Sequence, residues 1–412
     1  MYNYIPLEQA ADILDSYRKP VNSKERLNLI KGKPLDELFP YYGATGQVGW
    51  IDSFLTDGEY ILLGEDGAPF LNPYAEKAYI IYGKTWVNNH AHILRSKTNN
   101  EFLCYYLNYF NYKNYVSGTT RLKLTQAQMR KIPIPNIPSD EQSRIVAHIE
   151  ELFSELDKAI DTLKTTKEQL VVYRQAILQQ AFIGNSNYHK RKSSIPKAEF
   201  KPVDAKELVQ LASLPQEWKY VYLSDLGNLS RGKSSHRPRN DPKLFENGVY
   251  PFFQTGDVKG AQKDLYNCEK KYNDVGLAQS KLWPAGTLCI TIAANIAETC
   301  FLGVDGCFPD SIVGFIPNDN LVLKEYIRFF IEASKLKLWA YAPATAQKNI
   351  NLSTLENLIV PYCGIEEQQY IVQKIEEIDS VCNKLEQTID IALAQADAMR
   401  QSILKQAFEG KL

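Results

Sequence analysis

The segment Gly227–Ser234, GNLSRGKS, has the spacing G-x-x-x-x-G-K-[ST] of a loop that cradles nucleotide phosphates. Such a loop works where a buried strand hands over to a helix whose first amides face the phosphate. KYVYLSDL supplies a strand before it, but SHRPRNDPKLF follows, with Pro238 and Pro242. Proline beyond the first turn removes a donor and clashes with the turn before. No helix is expected there, so the cradle does not form. His90 and His92 would share one face of a strand, with no third ligand nearby in sequence. They read as partly buried, hydrogen-bonded histidines, and no metal site is expected. No Ser/His/Asp or Cys/His set stands out, so the chain is expected to do no covalent chemistry itself.

A second chemistry is carried by cations and amides clustered near turns. In the first half these are Arg18 and Lys19 in SYRKPVNSKER, Lys31 and Lys33 in LIKGK, Tyr42 and Thr45 in PYYGATGQVG, and Lys113, Thr120, Arg121 and Lys123 in NYKNYVSGTTRLKLT. In the second half they are Arg231, Lys233, Ser234, Arg237, Arg239, Gln254, Thr255, Lys281, Lys335 and Lys348. Arg and Lys neutralise phosphates, Arg can read guanine, and Asn or Gln can read adenine. Any one of these runs also fits a solvated loop. Their paired placement in two halves points to duplex DNA.

The elements that position these residues follow from a repeat. AILQQAFIG at Ala176–Gly184 reappears as SILKQAFEG at Ser402–Gly410, 226 residues on. At the same offset EQSRIV (Glu141–Val146) lies over EQQYIV (Glu367–Val372). From there both copies carry apolar residues in alternating steps of four and three, the seam of a coiled coil. The expected seam is Ile145, Ile149, Leu152, Leu156, Leu163, Leu170 and Ile177 in the first copy. In the second it is Ile371, Ile375, Ile378, Leu385, Ile389, Met399 and Ile403. Ser139 and Asp140 are expected as N-caps, Gly184 and Gly410 as C-terminal glycines. Each helix is about 40 residues, or about 60 Å, long, and pairing the two copies antiparallel keeps both stripes dry. Upstream of each lies a run of short strands and turns, then an amphipathic helix: NNEFLCYYLNYF in one half, LKEYIRFFIEA in the other. The expected domains are 1–138, a long helix over 139–184, a polar linker over 185–216, a second globule over 217–362, and a closing helix over 363–412.

The 412 residues are 44% hydrophobic and 23% charged, with a formal net charge of −1. That is an ordinary globular composition, so any phosphate-binding surface must come from local clustering. Seven cysteines without a CxxC pair suggest reduced thiols in a cytoplasm, and no apolar run is long enough for a membrane span.

These stretches together resemble the specificity subunit of type I restriction–modification systems. The resemblance rests on RKPVNSKER, PYYGATGQVGWIDSFLTDGEYILLGEDGA and GKTWVNNHAHIL in the first half. LPQEW, YPFFQTGDV, AQSKLWPAGTL and CFPDSIVGF carry it in the second, with both copies of the helix motifs. It implies an α+β fold of two similar target-recognition domains separated by two long conserved helices that form an antiparallel coiled coil with pseudo-two-fold symmetry. Each domain would read one half of a split DNA target. The helices would fix the spacer and bind two modification subunits, which hold S-adenosylmethionine and methylate adenine. Two restriction subunits, with ATP and magnesium, would join them to cleave unmethylated DNA. The resemblance implies a non-catalytic, cytoplasmic subunit with no cofactor of its own. The alternatives are a phosphate-loop NTPase with a coiled-coil arm, built on Gly227–Ser234, and a coiled-coil scaffold that binds no DNA.

Overall fold

The structure, a computed structural model, describes residues 3–183, 198–340 and 349–411. Lys348, Gly184 and residues 185–197 of the expected linker lie outside them. The chain falls into two compact units, Met1–Thr166 with Gln387–Leu412, and Lys167–Glu386. Among the described residues five helices have eight residues or more: α1 (Ser23–Ile30), α2 (Asn100–Tyr109), α3 (Ser139–Ile183), α4 (Lys324–Ala333) and α5 (Ile365–Phe408). Both units take segments of α3 and α5.

The first unit holds β1 (Tyr4–Pro6), β2 (Ala11–Ile13), β3 (Phe39–Gly43), β4 (Gly46–Ile51), β5 (Tyr60–Gly64), β6 (Ala78–Ile81), β7 (Trp86–Val87), β8 (Ala91–Ser96) and β9 (Pro133–Pro135). Its main sheet has the order β2-β8-β5-β6, with β4-β3-β7 beside it and β1 paired to β9. Every residue of β5, YILLG, is buried, as a central strand covered on both faces requires. Asn99 caps α2 by accepting from the Phe102 N–H at 2.8 Å. Phe102, Leu103, Tyr106 and Leu107 form its buried stripe.

The second unit holds β10 (Lys219–Tyr222), β11 (Gly227–Arg231), β12 (Tyr250–Pro251), β13 (Asp264–Leu265), β14 (Lys271–Tyr272), β15 (Leu288–Thr291), β16 (Thr299–Leu302), β17 (Ile312–Pro317) and β18 (Ile359–Tyr362). Its main sheet runs β11-β17-β15-β16-β13, the first unit's order with one strand added, and β10 pairs with β18 as β1 pairs with β9. The halves part company in the PFFQTGDVKG stretch. The matching first-half residues form the β3–β4 hairpin, whereas Thr255–Gly260 form a helical turn. The Asp257 carboxylate accepts from the Gln254 N–H at 2.7 Å and starts that turn. The linker expectation also needs correcting in its second part. The Phe200 ring packs against Tyr362 at 5.0 Å, and the Tyr220 hydroxyl donates to the Ala212 carbonyl at 2.8 Å, so residues near β10 are docked on the second globule.

The long helices answer why one helix end occurs twice. In the first unit Ala407 and Phe408, from the end of α5, lie in the core, with the Phe408 ring 5.4 Å from Phe102 and 5.2 Å from Tyr106 on α2. In the second unit Ala181 and Phe182, from the end of α3, take the equivalent place, 5.0 Å from Tyr326 and 5.3 Å from Phe330 on α4. Each globule is thus completed by the end of the helix that follows the other globule. Gly410 has φ +71°, and Gly410 and Lys411 donate to the carbonyls of Ala407 and Gln406 at 3.3 and 2.8 Å. This is the paired-bond ending that favours glycine. At the other end Ser139 is the first helical residue of α3 rather than its cap, and the Pro138 carbonyl accepts from the Gln142 N–H at 3.0 Å.

Candidate nucleic-acid interface

In the first unit His92 is fully buried. Its Nδ1 lies 2.7 Å from Asp15 and its Nε2 3.0 Å from the Leu124 carbonyl. Arg18 joins the same network, paired with Glu65 and, at 3.0 Å, with Asp15. Burial pushes the Asp15 carboxyl up, but bonds from His92 and Gln126 outweigh it and hold it below the usual carboxylate range. Burial likewise acts on Glu65, and the bonds from Arg18 and Lys123 bring it down. Arg18 is therefore a structural cation that ties a loop to β8, not one open to a phosphate. Lys33 is held by Asp52 at 2.8 Å, Arg121 by Asp66 at 2.9 Å, and Lys123 by Glu65 at 3.1 Å. Lys19 lies 5.9 Å above the Trp86 ring, and Tyr42 packs against Tyr79 at 6.0 Å. Lys31, Thr45, Lys113 and Thr120 are exposed.

An open cleft of about 570 Å³ lies beside α1, lined by Asn22, Arg26, Tyr41, Asn88, Asn89 and His90 among others. His90 is oriented by Asp66, 2.6 Å from its Nδ1. Arg26 stands inside the basic run noted in the sequence without being marked there. The signal that finds it is α1 itself, SKERLNLI, an eight-residue helix with no buried residue.

In the second unit the arginines of GNLSRGKSSHRPR are also tied down. Arg231 Nε donates to the Asp310 carbonyl at 3.0 Å, and Arg239 Nη2 reaches both Asp310 carboxylate oxygens at 2.8 and 3.0 Å. Arg237 donates to the carbonyls of Ser234 and His236 at 2.8 Å. Ser234 is buried, its hydroxyl 3.3 Å from that of Tyr272, and so cannot face a ligand. Lys281 bonds Ser230 at 2.9 Å and lies over Trp283, and Lys335 pairs with Glu298 at 2.8 Å. Gln254 is exposed, Thr255 half-buried, and Lys233 exposed. GNLSR is itself the strand β11. A Cβ on Gly232 would meet the Phe308 carbonyl oxygen at 2.3 Å, so that glycine serves close packing. The next helical residues are the short turn Pro242–Leu244, and no phosphate cradle exists. Among the described residues no three His, Cys, Asp or Glu are placed to hold a metal ion.

The helices run antiparallel within each unit. In the first, Arg400 pairs with Asp157 and lies 4.9 Å over the Phe153 ring. In the second, Arg174 reaches Asp379 at 2.8 Å, Asn383 at 2.7 Å and Glu386 at 3.3 Å. Arg174 and Arg400 are 226 residues apart, as are Asp157 and Asn383, so these contacts are pseudo-two-fold mates. Ile149, Ile177, Ile371, Ile375 and Ile389 are buried, and Ile145, Leu152, Leu156, Leu163, Leu170, Ile378 and Ile403 half-buried. Leu385 and Met399 are not seam residues: they are 49% and 54% exposed. Their neighbours Glu386 and Arg400 point inward instead, as do Lys167 and Arg174 on α3. These positions pair charges across the helices, Lys167 with Glu386 at 3.9 Å, while their aliphatic stems cover the stripe. Apolar spacing alone therefore misplaces that half of the seam.

A family model described as the type I restriction modification DNA specificity domain matches residues 9–171 and again 215–395. The chain belongs to this family. It carries two copies of the specificity domain, and a provisionally named type I restriction enzyme specificity subunit of Haemophilus influenzae is 26% identical over 396 residues, 95% of this chain and 91% of that one. The EcoDI specificity subunit of Escherichia coli is 24% identical over 412 residues, covering 96% and 88%. The HsdS subunit of Thermoanaerobacter tengcongensis shares the fold at a TM-score of 0.58 with 17% identity, covering 100% of this chain and 97% of that one. A chain from a structural study of assembly and conformational transition in a type I R-M system shares it at 0.67 with 16% identity, covering 100% and 98%. Within the specificity-domain fold the two EQ motifs have a defined task. Gln142 and Gln368 are buried, and each donates at 2.8 Å to the carbonyl five residues back, Ile137 or Cys363. Each side-chain oxygen accepts from its own globule, from Thr98 or the Leu323 N–H, at 2.9 Å. No helix among the described residues is long and apolar enough to cross a membrane.

Proposed function

We propose that the chain is the DNA-reading subunit of a type I restriction–modification complex, with each globule binding one half of an asymmetric, bipartite duplex target. The observation that carries this reading is a four-strand order shared by the main sheets of both units, with a fifth strand added in the second, under surface loops that differ in sequence, conformation and charge pairing. A repeated frame positions two readers alike, and unlike loops give unlike half-sites. α3 and α5 set the spacer and dock two modification subunits, which carry S-adenosylmethionine and methylate adenine. Restriction subunits using ATP and magnesium join that assembly, and this chain contributes recognition and no catalytic group. It acts in the cytoplasm, where its DNA is.

The test is to express the chain with its modification subunits in cells lacking other adenine methylation and to sequence the methylated adenines. The expected result is one split, non-palindromic motif. In the purified complex, binding to that motif should weaken steeply with salt. Methylation without a common motif, or salt-insensitive absence of DNA binding, would reject the reading.

A further inference from the structure

We propose that Arg26 is a base-reading residue of the first unit, donating its guanidinium to the major-groove edge of a guanine in the half-site that this unit binds. The proposal rests on the DNA-reading function above and names one residue that performs it.

The argument starts from α1. An eight-residue helix has little stability of its own, and this one buries nothing: Leu27 is 61% exposed and Leu29 36%. Two local devices hold it. Asn22 accepts from the Glu25 N–H at 2.8 Å and caps its start, and Arg26 lies 4.9 Å over the ring of Tyr41. Tyr41 is buried, with its hydroxyl bonded to the Val21 backbone at 3.2 and 3.3 Å, so the stacking platform is fixed. Beneath the guanidinium runs Gly49, where a Cβ would fall 1.9 Å from Nη1 of Arg26, and whose φ of +152° already suits glycine. The side chain is thus clamped between a ring and a bare backbone.

The clamped group has no counter-charge among the described residues. Among the described residues no carboxylate forms an ion pair with Arg26, whereas Arg18, Lys33, Arg121 and Lys123 in the same unit all have one. Its open edge lines the cleft with Asn88, Asn89 and His90, all able to donate or accept. A planar fork held rigid by stacking suits the paired N7 and O6 acceptors of guanine. The same fork can also hold a phosphate, but a phosphate is served as well by a point charge such as that of the exposed Lys31, and single base-pair substitutions separate the two. The major groove, about 12 Å wide, admits a helix, and α1 leaves the face away from Tyr41 and Gly49 exposed, Leu27 and Asn28 included.

The test uses the chain in complex with its modification subunits. Competition binding is measured against duplexes carrying the target and each single base-pair substitution in both half-sites, at several salt concentrations. Arg26→Ala should weaken the intact target by about 5- to 150-fold and abolish discrimination at one G·C pair of a single half-site. The other half-site and the remaining positions of the same half-site should be read as before, and the latter reports that the first unit of the variant is folded. Arg26→Lys should not restore the lost discrimination, and Lys31→Ala should weaken all duplexes alike with a shallower salt slope. Uniform weakening by Arg26→Ala, or unchanged discrimination at every position, would overturn the assignment. A wild-type complex that prefers no duplex would overturn the DNA-reading function itself, before Arg26 is touched.

Discussion

The two units differ least where backbone groups are satisfied and most where loops carry charge. Gln142 and Gln368 make the same carbonyl bond at the same 2.8 Å, and Phe182 and Phe408 fill the same aromatic pocket. In the basic loops the agreement ends. The second unit ties Arg231, Arg237 and Arg239 to its own carbonyls and to Asp310, while the first leaves Arg26 stacked on Tyr41 with no acid. A fold that must stay constant relies on bonds any homologous backbone can make. A surface that must differ can change which cations are already neutralised, at little cost to the frame.

The comparison breaks most easily at the helix ends. Phe408→Ala and Phe182→Ala should each destabilise by about 3–5 kcal/mol, the first loosening the first unit and the second the second. Hydrogen exchange resolved by segment would show this, and protection lost in the opposite unit would refute the exchanged helix ends. Next come the glutamines. Gln142→Ala strands the Ile137 carbonyl and Gln368→Ala that of Cys363, and each should cost about 1–3 kcal/mol in denaturant melts, Gln368→Ala the more because Gln368 also donates to the Leu321 carbonyl at 3.0 Å. A loss confined to one of the two variants would mean that the two junctions are not equivalent.

Lys77 sharpens the contrast, because among the described residues it is the one buried lysine and it belongs to the first unit. Its ammonium has only the Pro73 and Asn108 carbonyls, at 3.3 and 3.4 Å, and burial brings its pKa down to about 8. Between about 8 and 10.5 the unfolded Lys77 therefore binds more protons than the folded one, so its own contribution to stability rises with pH over that window, against the falling contribution of the buried Cys104 and tyrosines of the same unit. Lys77→Met should remove that contribution, so the gap in stability between variant and wild type should change by on the order of 1–2 kcal/mol between pH 7.5 and 10, as read from thermal melts of the first unit's transition. The smallest effect belongs to the helix arginines. Arg174→Ala and Arg400→Ala remove half-exposed pairs worth about 0.2–1 kcal/mol each. Arg174→Ala should cost the more, since Arg174 meets two carboxylates where Arg400 meets one and a ring.

The sequence shows the repeat and both long helices because apolar periodicity and the QAF and EQ motifs survive divergence. The pairing of α3 with α5 followed from the need to cover two stripes. Leu385 and Met399 were misread because Glu386 and Arg400 beside them hold inward positions through partners on the other helix, which spacing cannot reveal. Arg18 reads as a phosphate ligand for the same reason: of its two acids Asp15 is three residues away, but Glu65 lies 47 away and spacing does not bring it there. Which cations are neutralised is a property of tertiary contacts, and Arg26, stacked and without an ion pair among the described residues, emerges only after the paired ones are set aside. The helical turn at Thr255 was hidden because its start depends on the Asp257 side chain.

The most direct measurement exchanges residues 1–138 for the matching globule of another specificity subunit and maps methylated adenines in cells that also express the modification subunits. One half of the motif should change, with the other half and the gap between them preserved. A motif unchanged in both halves, or altered in both, would contradict two independent readers on one repeated frame.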